Sequence, residues 1–292
     1  MSTPEAADLP ARLLVCTDGS PASRGAVQAA LALAPRWPAR LFILQVLEFN
    51  PGFASQAMDY IQAWKQEAQT GLDNLQKEAA SRGIPTKTRV VLGQAAFQAI
   101  LSTAADLSAG LIIIGRHGHT GLSRLLMGSA TARVIGFAEV PVLVVPREAP
   151  LTFRRFLVAG DGSPSSRAAW RQALALAEKW GAKLTAVSVA PESRNLPEAE
   201  DIVQEMLQEA AVRGISPRPV VVTGRPEEAI VAAAAGQAAD LIIMGSHGRT
   251  GLTRLLMGSV TERVIGLASC PVMVVKPQGE FTGTVASGIR GG

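Results

Sequence analysis

Two stretches of this chain place glycines, a hydroxyl and basic residues at a spacing suited to holding phosphate. The first reads Gly115-Arg116-His117-Gly118, nine residues, then Gly128-Ser129; the second reads Gly245-Ser246-His247-Gly248, nine residues, then Gly258-Ser259. Glycine lets backbone approach an anion closely and adopt turns closed to other residues. Gly128-Ser129 and Gly258-Ser259 also open helix-like runs, where unpaired N–H groups and the helix dipole favour phosphate and the serine adds a donor. Such a loop could simply turn the chain. The same spacing twice, each time after a strand-like run and before a helix, favours a ligand. Asp18 and Asp161 complete the set: each ends the first apolar run of its half and precedes Gly-Ser-Pro. A carboxylate there could accept from ribose hydroxyls or take part in binding Mg²⁺, or it could cap the following helix and fix the turn.

The remaining polar candidates are weaker. Arg124 and Arg254 recur inside the loop and could reach a phosphate or make a surface salt bridge. His117 and His247 recur too, but three histidines in all, with no Cys or acid at ligand spacing, do not suggest a metal centre. Leu125, Leu126 and Met127 read as core packing. Cys16 and Cys270 lie in or beside apolar runs and read as small core residues rather than a disulfide or ligands.

The elements that must position these residues alternate. In the first half, Arg12–Thr17 is a buried strand, and Ser20-Pro21 is expected to open a helix with Ser20 as N-cap and Pro21 at its first position. Pro35 and Pro38 close that helix. A strand at Leu41–Leu47, a polar helix from about Gln56 to Ser81, a strand at Thr86–Leu92 and a helix after Gly93 to about Leu107 follow. Leu111–Ile114 is a fourth strand, Ser129–Ala138 a helix, and Val142–Val145 a fifth strand. The order repeats from Arg155 to Val275. Strands alternating with helices imply a parallel sheet with right-handed crossovers and helices on both faces. Ligands bind such sheets beyond the carboxyl ends of the strands, where strand order reverses.

The repetition is an internal duplication. Between residues 117–145 and 247–275, 21 of 29 positions are identical, and residues 13–34 match 156–177. Asp18 and Asp161 are offset by 143, Gly115 and Gly245 by 130, so the second copy is 13 residues shorter between them. The reading is two α/β domains, 1–148 and 149–278, joined by a short linker near Pro146–Phe153, with a tail at 279–292. The linker is too short for a loose tether.

Composition agrees with this class. Of 292 residues, 48% are hydrophobic and 4% aromatic, which suits helices on a buried sheet and argues against base-stacking nucleic-acid binders. The net charge of +4 is mild and the arginines are scattered, so no nucleic-acid partner is expected. No apolar run is long enough to span a bilayer, and no signal-like segment opens the chain; a cytoplasmic protein without membrane association is expected.

Asp at the end of the first strand, with G-x2-G-x9-G-[ST] after the fourth, resembles the ATP-binding type of universal stress protein, over almost the whole chain in two copies. The resemblance implies Rossmann-like, doubly wound domains, each a five-stranded parallel sheet of order 3-2-1-4-5, so that Asp and glycine loop face each other across the switch point. It implies ATP, with Mg²⁺, as ligand. Asp18 and Asp161 would contact the ribose or the phosphate-bound metal, and Val46 and Val189 would lie beside adenine. Gly115, Gly118, Gly128, Ser129 and Ala130 would line one phosphate site, and Gly245, Gly248, Gly258, Ser259 and Val260 the other. In that family the fifth strand pairs across a dimer axis, so the two halves are expected to form an internal pseudo-dimer; two chains could associate further.

Three functions compete. One is a stress-response protein in which nucleotide occupancy biases conformation or the binding of an unidentified protein partner. Another is a slow ATPase, for which Asp18 and Asp161 are the only obvious groups to position water. The third is a nucleotide-independent interaction protein, disfavoured by two intact loops. The chain lacks the G-x4-G-K-[ST] loop of P-loop NTPases, a G-x-G-x-x-G after the first strand, an SGGxD-type loop and a HIGH-type signature. Binding without dedicated catalysis is the expectation.

Overall fold

The computed structural model describes residues 11–36, 39–49, 58–118, 127–248 and 257–277. Arg124, Arg254, Leu125, Leu126, Pro38, the polar helix before Met58 and the tail at 279–292 lie outside the described residues. The first half runs β1 (Arg12–Thr17), α1 (Arg24–Leu33), β2 (Arg40–Glu48), α2 (Met58–Ser81), β3 (Thr86–Gly93), α3 (Ala96–Asp106), β4 (Leu111–Gly115), α4 (Ser129–Phe137) and β5 (Val142–Val145). The second runs β6 (Arg155–Ala159), α5 (Pro164–Trp180), β7 (Lys183–Ala190), α6 (Leu196–Ala211), β8 (Arg218–Thr223), α7 (Pro226–Gly236), β9 (Leu241–Gly245), α8 (Ser259–Leu267) and β10 (Val272–Val275).

All ten strands join one sheet in the order β3-β2-β1-β4-β5-β10-β9-β6-β7-β8. Each half therefore has the order 3-2-1-4-5, with parallel pairing throughout. The halves meet where β5 and β10 run antiparallel, Leu143 opposite Met273. Pairing these two strands removes two edges that would otherwise invite association. The outer edges are β3 and β8, and β8 carries Pro219, a residue that edge strands tolerate because it has no N–H to donate.

Side chains alternate across the sheet and build two cores. Leu13 and Val15 of β1 and Leu111 and Ile113 of β4 pack on one face beneath α1, α2, α5 and α6. Leu14 and Cys16, with Ile112 and Ile114, pack on the other beneath α3, α4, α7 and α8. Strands buried on both faces read as continuous apolar runs, as the sequence does here. Each core includes residues of both halves.

The first helix departs from expectation in one copy. In the second half Ser163 is the N-cap, accepts from Ser166 N–H at 3.2 Å, and Pro164 is the first helical residue. In the first half α1 begins only at Arg24, with Ser23 as N-cap, and Ser20–Ala22 form a preceding turn. The difference follows Thr17, which stands where the second half has Gly160. Thr17 Oγ1 meets Ser23 Oγ at 2.8 Å and accepts from Gly19 N–H at 3.1 Å, so the turn is tied to the strand end rather than wound into the helix.

The linker is clamped by a buried carboxylate. Asp240, 2% exposed, accepts from the Thr152 hydroxyl and from the backbone N–H groups of Arg154 at 2.8 Å and Arg155 at 2.9 Å. A buried charge is tolerable when hydrogen-bonded in this way.

Candidate functional site

The carboxyl ends of β1 and β4 are neighbours in the sheet, and of β6 and β9 likewise. The loops leaving those ends bring the predicted aspartate and glycine together. A Cβ at Gly118 would stand 2.7 Å from Asp18 Oδ2, and one at Gly248 would stand 2.9 Å from Asp161 Oδ2. Each aspartate is held in a turn of its own making: Asp18 Oδ1 accepts from Ser20 N–H at 2.9 Å, and Asp161 Oδ1 from Ser163 N–H at 3.0 Å. The turn-fixing role and a place in the crevice are thus filled by different oxygens of one carboxylate. Gly19 and Gly162, at φ +78° and +77°, make that turn accessible.

The glycine loop is pinned at its neck. Gly128 N–H donates to Arg116 O at 2.9 Å, and Gly258 N–H to Ser246 O at 2.9 Å. Gly128 and Gly258 are the N-caps of α4 and α8, in extended conformation and with no side chain to cap the helix. Among the described residues no side chain takes up the first-turn N–H groups, which are the groups an anion could meet. Ser129 and Ser259, the first helical residues, are exposed, and Ala130 and Val260 are half-buried beside them. Thr131 and Thr261 sit one position further on and are buried; each donates to the last carbonyl of the fourth strand, Gly115 at 3.0 Å and Gly245 at 2.9 Å. These threonines fix the helix start over the strand end. They were missed from sequence, although the repeated Gly-Ser-x-Thr could have drawn attention to them.

Gly115 and Gly245 are buried and do another job. A Cβ at Gly245 would lie 2.6 Å from Ser165 Cβ and 2.8 Å from Ser166 N, and at Gly115 it would lie 3.2 Å from Ser23 Cα. Their bareness lets the start of α1 or α5 close onto the sheet. Val46 and Val189, near the ends of β2 and β7, are half-buried against the second core.

The two crevices differ at the residue after the fourth strand, Arg116 in one and Ser246 in the other. Arg116 in the first loop sends its Nη1 to the carbonyls of Ile265 at 2.9 Å, Gly266 at 2.7 Å and Ala268 at 3.0 Å, capping α8 of the other half. Burial pulls its pKa down from the ordinary guanidinium value. Ser246 stands at that position in the second loop and bonds its own neighbour, Ser246 Oγ to His247 Nδ1 at 3.0 Å. The reciprocal cap on α4 comes from Lys276, whose ammonium donates to Gly136 O at 2.6 Å. Cations at helix C-termini interact favourably with the dipole. His117 Nε2 is buried with no partner among the described residues. Neither is there a cluster of three metal-ligating side chains among them, and no described helix is long and apolar enough to cross a membrane.

A crevice built twice from an aspartate turn and a glycine loop, on a 3-2-1-4-5 sheet, defines a Rossmann-like α/β fold. Comparison with known proteins narrows the class. The model of the universal stress protein family matches residues 11–146 and 152–276. A universal stress protein of Mycolicibacterium smegmatis is 30% identical over 258 residues, 83% of each chain. Another, of Mycobacterium bovis, is 27% identical over a 304-residue alignment covering 90% of this chain and 94% of its own. The crystal structure of a universal stress protein from Archaeoglobus fulgidus shares the fold, with a TM-score of 0.76 at 23% identity over 92% of this chain and 97% of that one. This chain belongs to the universal stress protein family, with two copies of the family's domain in tandem.

Proposed function

We propose that each half binds ATP and that occupancy of the two crevices regulates the conformation of the chain or its engagement of a protein partner. The observation that carries this reading is the duplicated approach of aspartate and glycine, Asp18 to Gly118 and Asp161 to Gly248, at the switch point of each half. A glycine that only turned the chain would not need to lie so close to a carboxylate that a Cβ would clash with it. The residues fit a nucleotide. The triphosphate would lie on the loop from Gly118 to Gly128 and the first-turn N–H groups of α4, with Ser129 as a further donor, and on Gly248, Gly258 and Ser259 in the second half. Asp18 and Asp161 would meet the ribose or a phosphate-bound Mg²⁺, which supplies charge neutralisation when present. Val46 and Val189 would offer adenine an apolar contact.

The regulatory part rests on Arg116. It lies within the first glycine loop yet holds three carbonyls at the end of α8, so a ligand bound beside it also acts on the packing of the two halves. Dedicated hydrolysis is disfavoured, because one carboxylate per crevice has an oxygen already engaged in its own turn.

The test is the nucleotide released on denaturing the purified protein, compared with Gly118→Ala/Gly248→Ala. Near two ATP per chain, lost in the double variant, is the expected result. ADP in its place would favour the ATPase reading. No nucleotide, and none taken up from millimolar Mg·ATP, would overturn the proposal.

A further inference from the structure

Arginines that are scattered in sequence are gathered by the fold. A cavity of about 640 Å³, apart from both glycine crevices, is lined by Arg36, Arg154, Arg155, Lys179 and Lys183, with Trp180 and Gly181. Among the described residues no carboxylate lines it. Arg36 ends the 3-10 turn that follows α1, and Lys179 lies in the last turn of α5. The two stand at equivalent positions, 143 residues apart, so the cavity forms where the halves come together.

Local structural duties do not use up this charge. Two helix C-termini each carry about half a negative charge, or about one in total against five cations. Arg36 donates to Phe153 O at 3.2 Å and Arg155 to Ala238 O at 2.7 Å. Those carbonyls aim the guanidiniums without neutralising them. None of the five cations is in a salt bridge among the described residues, although Arg167 and Arg171 of α5 and Arg213 in the turn after α6 all are. The floor is rigid: the ring of Trp180 meets Phe153 and Phe156 edge-on at 6.3 and 5.9 Å.

We infer that this cavity is a second anion site, distinct from the nucleotide crevices, that takes a small ligand bearing several phosphate groups. Five like charges around one concavity repel one another, and a polyanion relieves that repulsion. The volume lies in the range of small-molecule sites, about 300–1,000 Å³, whereas a nucleic acid calls for cations spread along a face or stripe. Arginine forks suit phosphate geometry, with the lysines as point charges.

Inorganic tripolyphosphate is the probe, titrated calorimetrically into the full chain carrying Gly118→Ala/Gly248→Ala, which removes the glycine crevices as competitors. One site per chain is expected, with affinity falling steeply as salt rises. Adding Arg154→Gln/Lys183→Gln should weaken binding at least tenfold with the melting temperature unchanged, since these exposed side chains hold no other group. If that pair proves unstable, Lys179→Gln alone should still weaken binding severalfold. Absence of binding in the crevice-blocked chain, or unchanged affinity after the charge removals, overturns the proposal. So does a DNA duplex that binds more tightly than tripolyphosphate at equal phosphate concentration, because that would identify the face as a polymer surface.

Discussion

Asp18 Oδ2 lies where it would stand 2.7 Å from a Cβ on residue 118, and Asp161 repeats the relationship with residue 248 at 2.9 Å. A methyl group at either glycine must push the carboxylate aside or fill the space beside it. The aspartate can yield only at the expense of its turn, because its other oxygen holds the N–H two residues on. Gly118→Ala and Gly248→Ala are therefore expected to lower nucleotide affinity at least tenfold, about 1.4 kcal/mol, while the melting temperature changes little. Titration of Mg·ATP into each single variant checks this, with half the stoichiometry remaining. Retention of both sites at wild-type affinity would contradict it.

Gly245→Ala should behave in the opposite way. Its Cβ would meet Ser165 Cβ at 2.6 Å and Ser165 C at 2.7 Å, which are fixed by the first turn of α5 rather than free to rotate away. Overpacking of this kind costs roughly 1–3 kcal/mol. Denaturant unfolding should register that loss even without nucleotide. Gly115→Ala, whose nearest neighbour is at 3.2 Å, should cost less. Two glycines three residues apart in one motif would then separate into one that serves packing and one that serves the crevice.

That separation marks the limit of what spacing conveys. The alternation of apolar runs and helices, the duplication and the Asp–glycine crevice could all be read from residue type and period, because buried parallel strands and glycine turns leave local signatures. Contacts between the halves leave none. Arg116 and Lys276 cap the helices α8 and α4 from 149 and 140 residues away, and neither occupies an equivalent position in the other copy. The five cations of the second cavity come from three segments of the chain, at residues 36, 154–155 and 179–183. The late start of α1 likewise turns on one residue, Thr17 in place of Gly160, whose hydroxyl acts only once β1 and α1 are adjacent.

Arg116→Ala should loosen the joint between the halves. It removes the donor from three carbonyls at the end of α8, and leaving polar groups unsatisfied costs about 1–3 kcal/mol. Ser246→Ala, at the equivalent place, removes only a bond to the adjacent His247 and should cost less than half as much. Denaturant unfolding of the two variants checks the order. If nucleotide acts through this loop, the first site should also lose its influence on hydrogen exchange in α8.

Lys276 gives a pH-dependent signature. Burial pushes its pKa down to about 8, against an upward pull from Glu139. The ordinary value is 10.5, so between about 8 and 10.5 the unfolded chain binds this proton and the folded chain sheds it. Stability contributed by this group must therefore rise with pH across that window and stay flat outside it. With the lysine partly exposed, screening limits the change to about 1 kcal/mol. The difference in unfolding midpoint between wild type and Lys276→Met should grow in favour of wild type as pH rises through the window; a constant difference would refute it.

The helix pairs α3–α4 and α7–α8 join through one position solved in two ways. In the first half the Arg133 guanidinium lies over the Phe97 ring, 5.0 Å from its centroid. In the second, at the equivalent positions, Arg263 meets the Glu227 carboxylate at 2.7 Å, and Glu227 is only 6% exposed. Glu227 is held below the ordinary carboxylate range by its own backbone N–H first and by Arg263 second. Its contribution is thus present above the usual carboxylate value and lost as pH falls through the lower folded one. Arg263→Ala should cost about 1–2 kcal/mol at neutral pH, shrinking as the solution is acidified below about pH 4. Arg133→Ala should cost about 0.5–1 kcal/mol and show no such shrinkage, because the Phe97 ring has no proton to gain. Urea unfolding of both variants at neutral and acid pH distinguishes the two joints, and an equal acid response would refute the assignment.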